Sequence, residues 1–336
     1  MKQRLQYPIH NRRDKYLALL LSFIVGILSG VSGQILLNKY LRNKRSTFQE
    51  IRKGAGYTFI NPLIDCETQE IMPELINFRK KIADAVRRLL DNKEALDISI
   101  YFRDLNNGPS FSINENKGFS PGSLLKIPVM MAYFKKAETD PDILKKTLTY
   151  QAKPTDNVVF FEPAQKLQSG ESYTIEELIR RMIIYSDNEA ASLLVENDKA
   201  TFSSVQKDLG IEYWEYDQPP GTMRDRSYAS LFRVLFNASY LNAALSEKAL
   251  ELLSETQFPF GLRAGVPAEI KVAHKFGERG EGLVLYLHDC GIIYYPRHPY
   301  LLCIMTKGGN MKSLSKIIQE ISHLVYEEVN RQAFAS

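Results

Sequence analysis

The chain is poor in the residues that staple or metallate small folds. Only three cysteines occur in 336 residues, Cys66, Cys290 and Cys303, and they form no metal-spaced cluster. A disulfide framework is not expected, although a single cystine is left open. Cys290 and Cys303 lie in apolar, strand-like runs and read as small buried hydrophobes. The five histidines, His10, His274, His288, His298 and His323, are scattered; His274 and His288 read as structural members of strands. No metal and no cofactor are expected. Charge of one sign is scarce too: the net +4 is thinly spread and much of it sits near the N-terminus, so nucleic-acid binding has no basic face to rest on. Internal repeats and low-complexity segments are also missing. What remains is a chain of ordinary hydrophobic content, 44%, with room for one large domain or two ordinary ones.

The longest uncharged run lies at the start. Residues 1–15 are polar and basic, with Lys2, Arg4, Arg12, Arg13 and Lys15 against Asp14. From Tyr16 to Leu37 no charge occurs, a length that crosses a bilayer as a helix. Gly30, Ser32 and Gly33 imitate a signal-peptidase site, but the apolar run continues through Ile35, Leu36 and Leu37. An uncleaved, single-pass transmembrane anchor over 16–37 is therefore expected, with the membrane as partner. Lys39, Arg42, Lys44 and Arg45 come after it, so the positive-inside rule votes only softly for an inside N-terminus. That orientation makes the rest extracytoplasmic. Residues 38–72 read as a stalk or linker, with a mixed segment, Tyr57 to Cys66, that can pack onto the next domain.

A globular domain is expected over 73–332. Leu75, Phe78, Ile82, Val86 and Leu89 fall at helical spacing. Asp97 to Phe102 alternates as a strand does, and Asn106-Asn107-Gly108 turns into a second strand. A helical block then runs from about Glu138 to Leu252. Within it Thr174-x-x-Glu177 is a capping box, and further helices fit Ser230 to Leu241 and Ser246 to Leu253. Ile270 to Gly277, His288 to Tyr295 and Tyr300 to Lys307 read as three strands, and Leu314 to Val325 as an amphipathic closing helix. This order predicts an α+β fold: a five-stranded antiparallel sheet, terminal helices on one face, and a helical lobe.

Three short motifs carry chemistry. Pro121-Gly122-Ser123-Leu124-Leu125-Lys126 breaks the chain and then opens a helix, with Ser123 and Lys126 a turn apart on one face. A serine hydroxyl becomes a useful nucleophile when a neighbouring base takes its proton, and a lysine of lowered pKa can do so. The helix start offers N–H groups to a developing oxyanion. Pro128, early in that helix, predicts a kink. Ser-x-x-Lys alone is a weak signal, recurring at Ser204/Lys207 and Ser313/Lys316. Ser186-Asp187-Asn188 lies in a turn between helices and is the most informative of the three, with the alternative that Ser186-x-x-Glu189 is a capping box that simply starts a helix. Lys275-Phe276-Gly277 ends a strand, and Lys307-Gly308-Gly309 has the same form.

Together, in this order and on these element types, the motifs resemble the class A β-lactamases and the wider penicillin-recognising serine enzymes. The resemblance spans roughly Leu75 to Val329 and includes Tyr173 to Ile179, Gly265-Val266-Pro267, Val272 to Lys275 and His288 to Ile293. It implies a β-lactamase/transpeptidase-like fold in the bacterial cell envelope and an acyl-enzyme on Ser123, formed from a β-lactam or a peptidoglycan-like D-alanyl peptide. Lys126 would be the base, and Ser186 would relay a proton to the leaving nitrogen. Asn188 would hold a substrate amide, and Lys275 would supply charge for a carboxylate. Gly277 and Glu278 would flank the substrate, the oxyanion hole being the N–H groups of Ser123 and Glu278. Asp187 would hold its own turn together.

The sequence also departs from the family. The stretch Ile211 to Gly221 is short and lacks the Glu-x-x-x-Asn form that activates the deacylating water, with Glu215 and Asp217 as nearby carboxylates. Tyr213, Trp214 and Tyr216 beside them fit loop packing. Phe276 stands where the family has a hydroxyl, and Glu278 adds negative charge where an anion should dock, with Arg279 as possible relief. Both departures weaken hydrolysis of a β-lactam more than acylation, which keeps a D,D-peptidase, or a slowly acylated cell-wall sensor, as the alternatives.

Overall fold

A computed structural model describes residues 49–52, 57–61, 63–67, 73–106, 109–153, 159–162, 165–209 and 221–335, with a few positions between 16 and 34. Phe48–Glu67 with Ile71–Ser336 form one compact unit, and Met1–Thr47 with Thr68–Glu70 another. Of the expected anchor, residues 16, 20–23, 25, 26, 30, 33 and 34 are described; all are helical and exposed, and the remainder lies outside the described residues. Among the described residues no helix is long and apolar enough to cross a membrane.

The larger unit opens with a ribbon, β1 (Gln49–Arg52) and β2 (Leu63–Glu67), and then α1 (Pro73–Asp91). The sheet strands are β3 (Asp97–Asp104), β4 (Ser110–Ile113), β7 (Val272–Glu281), β8 (Val284–Ile293) and β9 (Tyr300–Gly308). They pair antiparallel in the order β4-β3-β9-β8-β7. Between the two halves of the sheet run α2 (Lys126–Ala137), the short ribbon β5 (Thr147–Thr149) and β6 (Ser172–Thr174), then α3 (Ile175–Ile184), α4 (Asn188–Asn197), α5 (Lys199–Asp208), α6 (Asp225–Phe236), α7 (Ala243–Ser254) and α8 (Gly261–Ala264). Helix α9 (Met311–Ala335) closes the chain. The five-stranded antiparallel sheet and helical lobe are as the periodicities indicate.

The period of two decides which core each strand residue joins. Ile98, Ile100, Phe102, Leu302 and Ile304 enter the core beneath α1 and α9, whereas Tyr101, Leu301, Cys303 and Met305 enter the core shared with the lobe. On α1 the predicted stripe of Phe78, Ile82, Val86 and Leu89 is buried. Thr174 caps α3 by accepting from Glu177 N at 3.1 Å. Residues 57–61, expected in the stalk, dock on the lobe: the N–H groups of Thr58, Phe59 and Ile60 all donate to the Glu247 carboxylate at 2.6–3.0 Å.

Three expectations change. Helix α6 begins at Asp225 rather than Ser230, because the buried Asp225 carboxylate accepts from Ser99 Oγ of β3 at 2.6 Å and fixes the start of the helix against the sheet. Pro128 produces no kink in an α-helix running from Ser123. Gly122–Leu125 is a 3-10 turn and α2 starts at Lys126, so Pro128 falls in the first turn, where an N–H lacks an intrahelical partner anyway. Cys290 and Cys303 are buried as expected, but they are bonded to each other; the β8/β9 register sets them directly opposite. Thiol titration should therefore find one free thiol per denatured chain, that of Cys66, and three after reduction. Three thiols without reductant would contradict the bond.

Candidate active site

The three motifs converge at the outer edge of β7. Pro-Gly works here through its backbone. Gly122 has φ +53°, and a Cβ on it would lie 2.3 Å from Glu278 O; one on Gly277 would lie 2.4 Å from Pro121 O. Neither position has room for a methyl group, and the turn carrying Ser123 is pressed on the strand at Gly277 and Glu278. Behind it, His288 Nε2 donates to Ser120 O at 2.8 Å while Nδ1 accepts from Thr306 N at 3.2 Å. Burial pulls the His288 pKa down to about 4, so this ring is a neutral brace for the turn that carries Ser123. His274 is likewise structural, with Nδ1 2.9 Å from the buried Asp289 carboxylate.

Lys126 is the hub. Its Nζ lies 2.9 Å from Ser123 Oγ, 2.6 Å from Ser186 O, 3.2 Å from Ser186 Oγ and 2.6 Å from Asn188 Oδ1. The carbonyl of Ser186 and Oδ1 of Asn188 can only accept, so they take the two N–H groups of a neutral amine. Its lone pair is then left for a hydroxyl proton, and Ser123 Oγ is within reach. Burial lowers the Lys126 pKa to about 7, against the opposing charges of Asp187 and Glu278. A lysine near neutrality is a serviceable general base.

Ser186 bridges the two lysines. Its Oγ accepts from Lys275 Nζ at 2.8 Å and faces Lys126 at 3.2 Å. It holds φ +55° although it has a side chain, a conformation that persists only when its surroundings enforce it. Asp187 caps α4, accepting from Glu189 N and Ala190 N at 2.9 and 3.1 Å; the cap is therefore Asp187 and not Ser186, which frees the Ser186 hydroxyl. Lys275 is wholly buried, and burial together with Lys126 drives its pKa well down.

Glu278 behaves differently from a surface charge. Its Oε1 accepts from the N–H groups of Phe160 and Phe161 at 3.2 and 3.3 Å, while burial raises its pKa against those bonds. No local signal revealed this link, since Phe160 and Glu278 are 118 residues apart. Asn188, expected against a substrate amide, has its oxygen committed to Lys126. Glu215, Asp217 and the aromatics beside them lie outside the described residues. Among the described residues no group of three metal-binding side chains is assembled.

A serine hydroxyl beside a deprotonatable lysine, with a second hydroxyl bridging two lysines on this sheet edge, suits acyl transfer. A sequence profile of the beta-lactamase enzyme family matches residues 79–329. The chain belongs to that family. It is thereby a serine hydrolase of class A β-lactamase-like type. It is 25% identical over 257 residues to Beta-lactamase ROB-1 of Haemophilus influenzae, covering 70% of this chain and 81% of the relative. With a Beta-lactamase of Bacillus licheniformis it shares 23% over 283 residues, 79% of this chain and 89% of the relative. Among solved structures, PBP-A superposes with a TM-score of 0.66 at 23% identity, covering 76% of this chain and 97% of that one. A mutant of PBP-A, solved as an acyl-enzyme complex with penicillin G, gives 0.65 at 22%, covering 78% and 100%.

The buried lysine makes a two-sided prediction. The Lys126 pKa is lowered, so between about 7 and the ordinary 10.5 the unfolded chain binds more protons and stability rises with pH across that window. Lys126→Met should slow acylation by about 10²–10⁴-fold yet raise the thermal midpoint at pH 6, a gain that shrinks at pH 9. In the native enzyme, acylation should rise through pH 7 or so as the amine loses its proton. Melts and stopped-flow acylation at matched pH check both.

Proposed function

We propose that this protein is a membrane-anchored, extracytoplasmic serine hydrolase that opens β-lactam-type amide bonds through an acyl-enzyme on Ser123. One observation carries the reading: Lys126 Nζ lies 2.9 Å from Ser123 Oγ, with its other close partners able to take both N–H groups of a neutral amine. Ser123 Oγ adds to the acyl carbon while its proton passes to Lys126. The tetrahedral oxyanion would be met by the N–H groups of Ser123 and Glu278. Ser186, between the two lysines, hands a proton to the leaving nitrogen as the carbon–nitrogen bond breaks. The penicillin-bound state of the PBP-A mutant supports a β-lactam as acyl donor.

A second reading is a D,D-peptidase or a slowly acylated cell-wall sensor acting on peptidoglycan stem peptides. It is favoured by the carboxylates whose charges act on Lys126. Among the described residues the acidic charges acting on that lysine are Asp187 and Glu278, and both are held by backbone N–H groups. The other oxygen of each, Asp187 Oδ2 and Glu278 Oε2, has no hydrogen-bond partner but is buried out of solvent, where a deacylating water from bulk does not reach it.

The apolar run from Tyr16 to Leu37 supports the anchor. The Cys290–Cys303 bond supports an oxidising compartment, where disulfides persist.

Intact-mass measurement with benzylpenicillin separates these readings. A long-lived adduct indicates a peptidase or sensor, and rapid turnover with free product a β-lactamase. Ser123→Ala should abolish the adduct; labelling that persists in this variant would place the nucleophile elsewhere. For topology, a reporter fused after Ser336 should be active only outside the cytoplasm, and cytoplasmic activity would sink the anchor.

A further inference from the structure

The leaving side of an acyl donor on Ser123 must lie along β7 near Ser186 and Lys275, because Ser186 hands over the proton and Lys275 holds its Oγ. Besides Lys126, the base, the strands that flank it there are β7 and the adjacent β8. An ammonium has three donors. Lys275 gives one to Ser186 Oγ at 2.8 Å and one to Phe276 O at 3.0 Å, and its Nζ sits 4.1 Å from the centre of the Phe276 ring. With its third side against an aromatic face and the whole side chain buried, this cation has nothing left for an anion.

No other cation on these strands replaces it. Arg279 Nε lies 2.9 Å from Glu281 Oε1, off the line of a hydrogen bond but close enough to neutralise its charge. Strand β8 holds no lysine or arginine, and its His288 is committed to Ser120 and Thr306. Glu278, by contrast, presents a carboxylate whose Oε2 is buried without a hydrogen-bond partner. A second carboxylate here would lose its water, find no cation in exchange, and face a like charge. The neighbouring surface is apolar. Phe160 is 38% exposed and Leu283, at the β7–β8 turn, 94%; Phe160 ring carbons lie 3.7 Å from where a Gly280 Cβ would be.

We infer that the site prefers acyl donors with no free carboxylate on the leaving side, that is, uncharged amides or esters with an apolar leaving group. The inference rests on the acyl-transfer reading above and narrows its substrate class. Bond changes stay those of acyl transfer: the Ser123 Oγ–carbon bond forms, the bond from carbon to the leaving nitrogen or oxygen breaks, and the serine proton ends on that atom.

The test uses the full-length protein in detergent with two probes, benzylpenicillin and its methyl ester. Adduct formation is timed by intact mass, and each rate is divided by that probe's own hydroxide hydrolysis rate. The ester should acylate Ser123 faster by about tenfold or more. Glu278→Gln, which keeps an oxygen for the Phe160 and Phe161 N–H groups, should bring the corrected ester-to-acid ratio down by about tenfold, a change in the base Lys126 being common to both probes and cancelling in the ratio. A thermal melt matching the native protein confirms that the variant is folded. A corrected ratio of one or less overturns the inference and leaves the acyl-transfer reading standing, as does a ratio that Glu278→Gln fails to move. No adduct from either probe overturns both.

Discussion

Two lysine nitrogens buried around one serine hydroxyl set the terms for the rest of this structure. Moving an ammonium out of water is expensive unless its donors are met or its proton is lost. Here both responses are used. Lys126 is surrounded by four oxygen atoms drawn from three residues, and its pKa falls to about 7. Lys275, deeper still, is held by Ser186, its own strand and an aromatic ring. Such an arrangement is unfavourable in itself and exists because larger forces fix its frame. The sheet and its two cores supply them, with Leu124, Ile127 and Ala273 fully buried around the lysines. Ser186 at φ +55° is part of the same cost. Stability is given up locally to hold two amines against the hydroxyls of Ser123 and Ser186 in a fixed geometry.

Much of this could be read from the chain. Strand β3 alternates and β9 is a short continuous apolar run, and with the capping threonine of α3 and the stripe of α1 these are local signals that tertiary packing does not contradict. The motif order places Ser123, Lys126, Ser186 and Lys275 in one site although Ser-x-x-Lys and Lys-x-Gly each recur elsewhere in the chain. What could not be read depends on pairing at a distance. The Cys290–Cys303 bond follows from the register of two strands, which no single strand specifies. The start of α6 follows from Ser99, 126 residues from Asp225, so amphipathic spacing placed the helix too late. The 3-10 turn before α2 comes from the close approach of Gly122 to Glu278, and turned an expected helix start into a separate element.

The motif departures are not independent substitutions in an otherwise unchanged site. Successive residues of β7 face opposite ways, and Phe276 points into the core of the terminal helices, stacked on Phe258 at 4.1 Å with Phe161 edge-on to both. The same segment, through the N–H groups of Phe160 and Phe161, holds Glu278 two residues further along the strand. One aromatic cluster therefore positions both the ring beneath Lys275 and the carboxylate of Glu278. Replacing Phe276 by a hydroxyl residue would remove an aromatic side chain from a packed core as well as restore a polar contact, and large-to-small changes at such positions cost about 3–5 kcal/mol. Recognition at this cleft is thus coupled to the packing behind it. A change at Phe276 has to be accompanied by a repacked core, whereas the charge of Glu278 can be altered without disturbing that packing.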